Sequence, residues 1–148
     1  MSNKLFKAAS VMVVDDAEFD RRHVCRILEQ VGIGEILTAE SGADALERLG
    51  EREADLELDL IVCDIEMPEM DGYEFIRRLR YGALKPFQHV PVLDLTGVDT
   101  DKNVQTSKFL KIDGFVVKPA NAKDFSRLVR RIIAEGMRRM LDAELEAP

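Results

Sequence analysis

Four apolar runs of the sequence end in side chains that could carry out chemistry. The residues at these ends are Asp15 and Asp16, Asp64, Thr96 and Lys118. Carboxylates can bind Mg²⁺, a hard cation that also binds phosphate oxygens, and an ammonium group can hold a phosphoryl oxygen. A carboxylate can also be the nucleophile that forms an aspartyl-phosphate. Phosphoryl transfer on Asp64, with Mg²⁺ and Lys118 neutralising charge and Thr96 donating a hydrogen bond, is therefore the chemistry to expect.

Each of these residues has a simpler explanation when it is considered alone. Asp15 and Asp16 could begin a helix, and Lys118 could be an exposed loop lysine before a proline. Thr96 could be an ordinary strand residue. Acids, a hydroxyl and an ammonium together at the ends of four apolar runs are much harder to obtain by chance than any one of them. The combination therefore favours a functional site.

The apolar runs are typical of buried strands, and segments with helical periodicity separate them. The predicted strands are Ser10–Val14, Glu35–Ala39, Leu60–Asp64, Val90–Thr96 and Gly114–Val117. Five strand–helix repeats predict an α/β fold, a doubly wound parallel sheet with right-handed crossovers and helices on both faces. The carboxyl ends of parallel strands meet at one edge of the sheet. This topology would therefore bring the acids, the hydroxyl and the ammonium together.

Capping and breaking residues mark the predicted helix boundaries. Ser41, Asp71 and Asn121 are predicted to begin helices as N-caps. Gly32 and Pro86 are predicted to end helices.

Helical spacing predicts which apolar side chains face the sheet. The predicted inward residues of the first four helices are Phe19, Val24, Ile27, Leu28, Val31, Ala45, Leu46, Leu49, Phe75, Ile76, Leu79, Leu84, Val104, Phe109 and Leu110.

The overall composition limits the functions to be considered. The chain has 148 residues, 46% of them apolar, which suits one soluble globular domain. Its net charge of −7, with no block of basic residues, argues against nucleic-acid binding. No apolar run is long enough to span a membrane, and the N-terminus lacks the apolar core of a signal peptide.

The remaining chemical side chains suggest no second site. Cys25 and Cys63 lie in apolar positions and are expected to be buried reduced thiols, which suits a cytoplasmic protein. His23 and His89 have no metal-ligand spacing and are expected at the surface. No glycine-rich phosphate loop follows the first strand, which argues against the nucleotide-binding folds that use one.

The chain resembles a receiver domain of two-component signalling from about Ser10 to Glu135. The resemblance rests on Val13-Val14-Asp15-Asp16, on Asp64 with Met67-Pro68 and Asp71-Gly72, on Leu95-Thr96-Gly97 and on Lys118-Pro119. It implies a flavodoxin-like sheet of five strands in the order 2-1-3-4-5, with five helices.

The resemblance also implies roles for individual residues. Asp64 would accept a phosphoryl group from a sensor histidine kinase. Asp15, Asp16, Asp64 and the backbone carbonyl of Glu66 would arrange Mg²⁺. The protein would be no enzyme beyond its own phosphorylation and dephosphorylation.

Three other roles concern the response to phosphorylation. By resemblance, Thr96 would be the switch hydroxyl, Lys118 the phosphate-holding lysine, and Phe115 the aromatic side chain that turns inward on activation. The Lys118-Pro119 peptide bond would be cis, which would direct the lysine into the site.

Some positions depart from the family pattern or tune it. Asp94 stands where an apolar residue is usual, and is expected to be solvated, bonded to a helix start, or buried with a raised pKa that would disturb the switch. Glu66 and Val98 occupy positions that tune phosphate lifetime in relatives. Gly97 stands where a small residue is normal.

The end of the sequence raises the question of output. The receiver domain is expected at residues 1–135, with 136–148 as a helical extension or tail. An apolar stripe continues to Leu145, so a last helix from Ala122 to Leu145 would be about 36 Å long. Its exposed half would favour a homodimer. Alternatively, Gly136 ends the helix.

Four functions follow from these features. The first is a single-domain response regulator that signals through contacts with a downstream protein. The second is a phosphorelay intermediate or phosphate sink that passes its phosphoryl group to a histidine phosphotransfer protein. The third is a phosphatase with an aspartyl nucleophile, in which Glu66 would be the general acid. The fourth is an adaptor that acts without phosphate.

Overall fold

The strands form one parallel sheet. The computed structural model describes residues 3–97, 104–118 and 120–146. The strands are β1 (Ser10–Val14), β2 (Glu35–Ala39), β3 (Leu60–Asp64), β4 (Val92–Thr96) and β5 (Gly114–Val117). Their order is β2-β1-β3-β4-β5, and every neighbouring pair is parallel. The predicted fold class is therefore confirmed.

Helices cover both faces of this sheet. They are α1 (Asn3–Lys7), α2 (Glu18–Val31), α3 (Gly42–Glu51), α4 (Gly72–Tyr81), α5 (Val104–Phe109) and α6 (Ala122–Glu146), with a 3₁₀ turn at Lys85–Phe87. The short helix α1 was not predicted. It buries Phe6 against the rest of the core, and its five residues are too few to produce a periodic pattern.

Successive side chains of the strands enter two different cores. In β1, Val11 and Val13 join the core that contains Phe125 of α6. Met12 and Val14 join the core that contains Phe75 of α4. Because side chains alternate across a strand, a strand buried on both faces must be apolar along its whole length. This explains the unbroken apolar runs in the sequence.

The three predicted helix starts are confirmed. The hydroxyl of Ser41 accepts a hydrogen bond from the backbone N–H of Asp44 at 3.0 Å. The carboxylate of Asp71 caps α4 in the same way, and Asn121 Oδ1 accepts from the N–H of Asp124 at 3.2 Å. Each contact satisfies a backbone donor that the first helical turn leaves without a partner.

One of the two predicted helix ends is wrong. Gly32 ends α2 in the left-handed region, with φ of +97°. The helix α4, however, ends at Tyr81, before Gly82, and Pro86 lies in the separate 3₁₀ turn. The apolar side chain of Leu84 is therefore not part of the α4 face.

Two predicted inward aromatic residues are exposed. Phe19 is 81% exposed in the first turn of α2, and Phe109 is 64% exposed at the end of α5. Phe109 contacts Tyr81 instead, with 6.0 Å between ring centroids. Leu110, which follows Phe109, is fully buried as predicted. The side chain of Val104 lies outside the described residues.

A buried arginine connects three segments at the amino-terminal edge of the sheet. Arg80 of α4 is only 7% exposed. Its guanidinium donates hydrogen bonds to the carbonyls of Leu110 and Lys111, which follow α5, at 2.9 and 3.1 Å. It also donates to the carbonyls of Gln88 and Val90, which precede β4. These bonds use the planar fork of donors that arginine supplies.

The last helix extends far beyond the sheet. It has 25 residues and is about 37 Å long at 1.5 Å per residue. The alternative that Gly136 ends it is wrong, and the proposed boundary between residues 135 and 136 lies inside a continuous helix. Met140, Leu141 and Leu145 are exposed. None of the described helices combines the length and apolar character needed to cross a bilayer.

Candidate functional site

The acids predicted from the strand ends lie close together. Asp15 follows β1 directly and Asp64 ends the neighbouring strand β3, at the point where the strand order reverses. Carboxylate oxygens of Asp15, Asp16 and Asp64 lie within 4.8 Å of one another. Asp15 and Asp64 are buried, whereas Asp16 is exposed. The cluster therefore has two acids held inside the fold and one open to solvent.

Lys118 lies beside the two buried acids. Its Nζ is 3.1 Å from Oδ2 of Asp15 and 3.3 Å from Oδ2 of Asp64. A third carboxylate, that of Asp20 in α2, also lies 3.1 Å from Nζ. The sequence analysis missed Asp20, because an acid in a first helical turn is common and has a local explanation.

Each buried carboxylate is fixed by a backbone donor on its other oxygen. The N–H of Ala17 donates to Oδ1 of Asp15 at 2.9 Å. The N–H of Glu66 donates to Oδ1 of Asp64 at 3.0 Å. In both acids, Oδ1 thus faces the loop after the strand, and Oδ2 faces Lys118. This arrangement orients the two side chains before any ligand binds.

The surroundings of Asp64 raise the pKa of its carboxyl group to a value just below neutral pH. Burial raises its pKa to about 6, the negative charge of Asp15 adds to this, and Lys118 opposes both effects. Burial disfavours the charge of Lys118, but hydrogen bonds and attraction from the carboxylates outweigh burial and raise the lysine pKa. At neutral pH Asp64 is therefore mostly ionised and Lys118 is charged.

The donor set fits a hard divalent cation. Three carboxylates within 4.8 Å of one another repel one another, and a cation relieves that repulsion. Mg²⁺ takes one or two carboxylates and keeps several waters, which suits a cluster with one exposed member. Asp15, Asp16 and Asp64 would hold it. The role of the Glu66 carbonyl remains a prediction.

The start of α4 packs tightly against the acceptor loop. A Cβ added to Gly72 would lie 2.6 Å from the backbone oxygen of Asp64 and 2.7 Å from Cα of Ile65. The N–H of Gly72 donates to the carbonyl of Ile65 at 2.9 Å. Glycine is therefore required for α4 to contact the loop that carries Asp64.

The predicted switch residues lie on β4 and β5. Thr96 is buried at the end of β4, and its carbonyl accepts a hydrogen bond from the N–H of Lys118 at 2.7 Å. Phe115 is 40% exposed.

Gly97 is exposed, with space for a small side chain next to Glu66. The predictions on Val98 and on the Lys118-Pro119 bond concern residues 98 and 119, which lie outside the described ones.

Asp94 is the most unusual residue near the site. It is fully buried, and neither carboxylate oxygen has a hydrogen-bond partner among the described residues. The expectation that it is solvated is therefore wrong. Burial and repulsion from Asp64 raise its pKa to about 8, although Arg80 opposes this. The alternative of a buried carboxyl group agrees with the structure, and its effect on the switch stays a prediction.

The expectations for the cysteines and histidines are partly confirmed. Both cysteines are free thiols, with Cys63 buried and Cys25 half-buried. His89 is exposed. His23 is half-buried, and its Nε2 lies 3.0 Å from the carbonyl of Ala120, so it connects α2 with the loop before α6.

Comparison with known proteins identifies the family. Residues 11–130 match the model of the response regulator receiver domain. The chain belongs to the response regulator receiver family. Receiver domains of this family function in two-component signalling, so the chain is a receiver domain of such a system.

Individual relatives agree with this assignment. The two-component response regulator ORR1 of rice is 32% identical over 80% of the chain. The chain spans about half of that relative, since 52% of its length is covered. The chemotaxis protein CheY1 of Helicobacter pylori is 29% identical over 74% of the chain and 84% of its own length. The structure of chemotaxis protein CheY4 of Vibrio cholerae superposes with a TM-score of 0.73 at 30% identity, over 84% of the chain and 98% of CheY4.

Proposed function

We propose that this receiver domain is a response regulator of the single-domain type that accepts a phosphoryl group on Asp64 from a histidine kinase, in a reaction that requires Mg²⁺. The observation that carries the proposal is the placement of the Asp64 carboxylate between Lys118 and the N–H of Glu66, at 3.3 and 3.0 Å. The neighbouring acids Asp15 and Asp16 would supply metal ligands. No catalysis is proposed beyond the protein's own phosphorylation and dephosphorylation.

The chemistry follows from charge and position. An oxygen of Asp64 forms a bond to phosphorus as the bond between phosphorus and the kinase histidine breaks. The carboxylate is mostly ionised at neutral pH, because its pKa lies at about 6. Lys118 attracts the phosphoryl oxygens, and Mg²⁺ held by Asp15, Asp16 and Asp64 would neutralise part of their charge. The chain therefore contributes orientation and electrostatic stabilisation.

The output uses two packings of the β4–β5 region. The aspartyl-phosphate adds negative charge and acceptor oxygens. The Thr96 hydroxyl moves toward these oxygens, and the exposed ring of Phe115 turns into the space that becomes free. Phosphorylation favours this packing over the resting one, and a downstream protein recognises the changed surface.

A second function uses the same residues. As a phosphorelay intermediate or phosphate sink, the protein would pass its phosphoryl group to a histidine phosphotransfer protein. Transfer assays with both kinds of partner distinguish the two functions. A phosphatase would require Glu66 as a general acid, and multiple turnover of a small phosphate ester would support that function.

Two further features complete the proposal. The exposed apolar side chains of α6, Met140, Leu141 and Leu145, support a homodimer through this helix. The free thiols of Cys25 and Cys63 support a cytoplasmic location, where thiols stay reduced.

Labelling of the full chain tests the proposal. Incubation with acetyl phosphate and Mg²⁺ is expected to phosphorylate the wild-type protein, as measured by intact mass and phosphate-affinity electrophoresis. Asp64→Asn is expected to abolish labelling, and EDTA is expected to prevent it. Asp142→Asn, which removes an acid from the exposed part of α6, is expected to label normally. Labelling of Asp64→Asn at another residue would refute the acceptor assignment.

A further inference from the structure

Lys118 forms ion pairs with three carboxylates in the resting structure. An ammonium group has three N–H donors. Three carboxylate oxygens lie near its Nζ, those of Asp15, Asp20 and Asp64, at 3.1, 3.1 and 3.3 Å. The contact with Asp20 is also a hydrogen bond, so a phosphoryl oxygen on Asp64 has to compete with Asp20 for Lys118.

Asp20 differs from the other two acids. Asp15 and Asp64 belong to the described carboxylate cluster that fits a cation, and Asp20 does not. A cation in the cluster would compensate the charges of Asp15 and Asp64, whereas the charge of Asp20 would stay uncompensated. Asp20 is therefore the acceptor that competes most strongly with a phosphoryl oxygen for Lys118. Its negative charge near the site also repels an incoming anion. Competition for Lys118 and charge repulsion therefore both weaken binding of a phosphoryl group.

We infer that Asp20 is a positioning residue that retains Lys118 in the resting state and weakens binding of a phosphoryl group at the acceptor site. The inference rests on the proposed function of Asp64. Asp20 touches neither the phosphorus nor the metal cluster, and it acts through Lys118. It therefore sets the concentration of phosphodonor at which the site responds.

A simpler explanation of Asp20 has to be separated from this one. An acid in the first turn of a helix stabilises the helix through the macrodipole. Glu18 lies in the same turn of α2, and its carboxylate pairs with Arg22 at 2.8 Å and not with Lys118. Glu18→Gln thus removes the same charge from the same turn without changing the contacts of the lysine, and it is the matched control for Asp20→Asn.

Binding of beryllofluoride, a phosphoryl analogue, tests the inference in the full chain. Isothermal titration with beryllofluoride and Mg²⁺ is expected to show roughly twofold to fivefold tighter binding by Asp20→Asn, the range of a partly exposed ion pair. Glu18→Gln is expected to bind as the wild type does. With acetyl phosphate, Asp20→Asn is expected to lower the half-saturating concentration while the maximal labelling rate changes less. A change in helix stability alone would not produce this difference.

Two outcomes would overturn the inference. Affinity of Asp20→Asn equal to that of Glu18→Gln would show that the Lys118 contact has no effect on phosphoryl binding. Weaker binding by Asp20→Asn would show that Asp20 assists the reaction. If Asp20→Asn does not fold, Asp20→Ser, which keeps a polar side chain in the first turn, is measured with the same expectations.

The wild-type protein separates failure of this inference from failure of the proposed function. A wild-type chain that neither binds beryllofluoride nor becomes labelled on Asp64 contradicts the proposed function, and the inference fails with it. A wild-type chain that does both, with an Asp20→Asn variant that behaves identically, contradicts only the role of Asp20.

Discussion

Asp94 and Phe115 are partners in the register between β4 and β5, so their side chains lie on the same face of the sheet. The carboxyl group of Asp94 is fully buried, and the Phe115 ring is 40% exposed. A ring that turns inward from this position would pack near a carboxyl group that has no hydrogen-bond partner among the described residues. The charge of Asp94 therefore bears on the stability of the fold and on the switch.

The first prediction concerns this buried carboxyl group. Its pKa is about 8, against an ordinary value of 3.8, mainly because of burial. Between these values the folded state binds the proton more tightly than the unfolded state does. The contribution of Asp94 to stability is therefore complete below about pH 4 and is lost as the pH rises through about 8. We expect Asp94→Leu to be more stable than the wild type at pH 8 by roughly 2–4 kcal/mol, with a smaller difference at pH 5.

Urea unfolding at pH 5, 6, 7 and 8 measures this difference. Asp142→Asn removes an exposed acid and is expected to follow the wild-type pH dependence. Parallel curves for wild type and Asp94→Leu across this range would contradict a raised pKa for Asp94.

The second prediction concerns the metal cluster. Without Mg²⁺, Asp16→Asn is expected to raise the melting temperature slightly, because one of three mutually repelling carboxylates is removed. With Mg²⁺ the wild type is expected to gain stability by mass action, and Asp16→Asn is expected to gain much less. Thermal unfolding in EDTA and in increasing Mg²⁺ measures both effects. An equal gain in the two proteins would remove Asp16 from the metal site.

The third prediction compares two glycines. Gly72→Ala is expected to destabilise the fold by roughly 2–4 kcal/mol, because the new Cβ would lie 2.6 Å from the backbone oxygen of Asp64. Gly136→Ala is expected to stabilise it by roughly 0.5–1 kcal/mol. Nothing lies within 4 Å of a Cβ at Gly136, and alanine favours a helix. Chemical unfolding of both variants checks the two signs, and a neutral Gly72→Ala would mean that α4 can move away from the acceptor loop.

The fourth prediction concerns α6. If the protein dimerises through this helix, Leu141→Asp and truncation after Glu135 are both expected to yield a monomer. Ala143→Asp introduces the same charge about 200° around the helix from Leu141 and is expected to leave the dimer intact. Light scattering coupled to gel filtration measures the mass. The same number of subunits before and after truncation would eliminate dimerisation through this helix.

The residues of the site are easier to predict from the sequence than the residues around them, because the order of the strands alone brings the site residues together. Once β1 and β3 are recognised as parallel neighbours, Asp15 and Asp64 must lie at the same edge. The carboxylate of Asp20 comes from a helix, and only the rotation of that helix about its axis brings it to Lys118. Periodicity defines which residues of a helix share a face, but it does not define where that face ends.

The wrong predictions have separate physical causes. Phe19 follows the helical spacing of α2, yet it lies in the first turn and is exposed. Gly136 carries a stop signal, but the helix continues through it, because glycine in a helix costs only about 1 kcal/mol. The environment of Asp94 could not be predicted, since the choice between a solvated and a buried carboxyl group depends on the packing of α4 against β4.

The guanidinium of Arg80 has a consequence at the end of the domain remote from Asp64. Its hydrogen bonds to Val90 and Leu110 join the loop that enters β4 to the loop that leaves α5. One side chain thus serves as a common anchor for two loops that are distant in sequence. Because both loops depend on the position of this one side chain, we expect opening of one loop to weaken the attachment of the other.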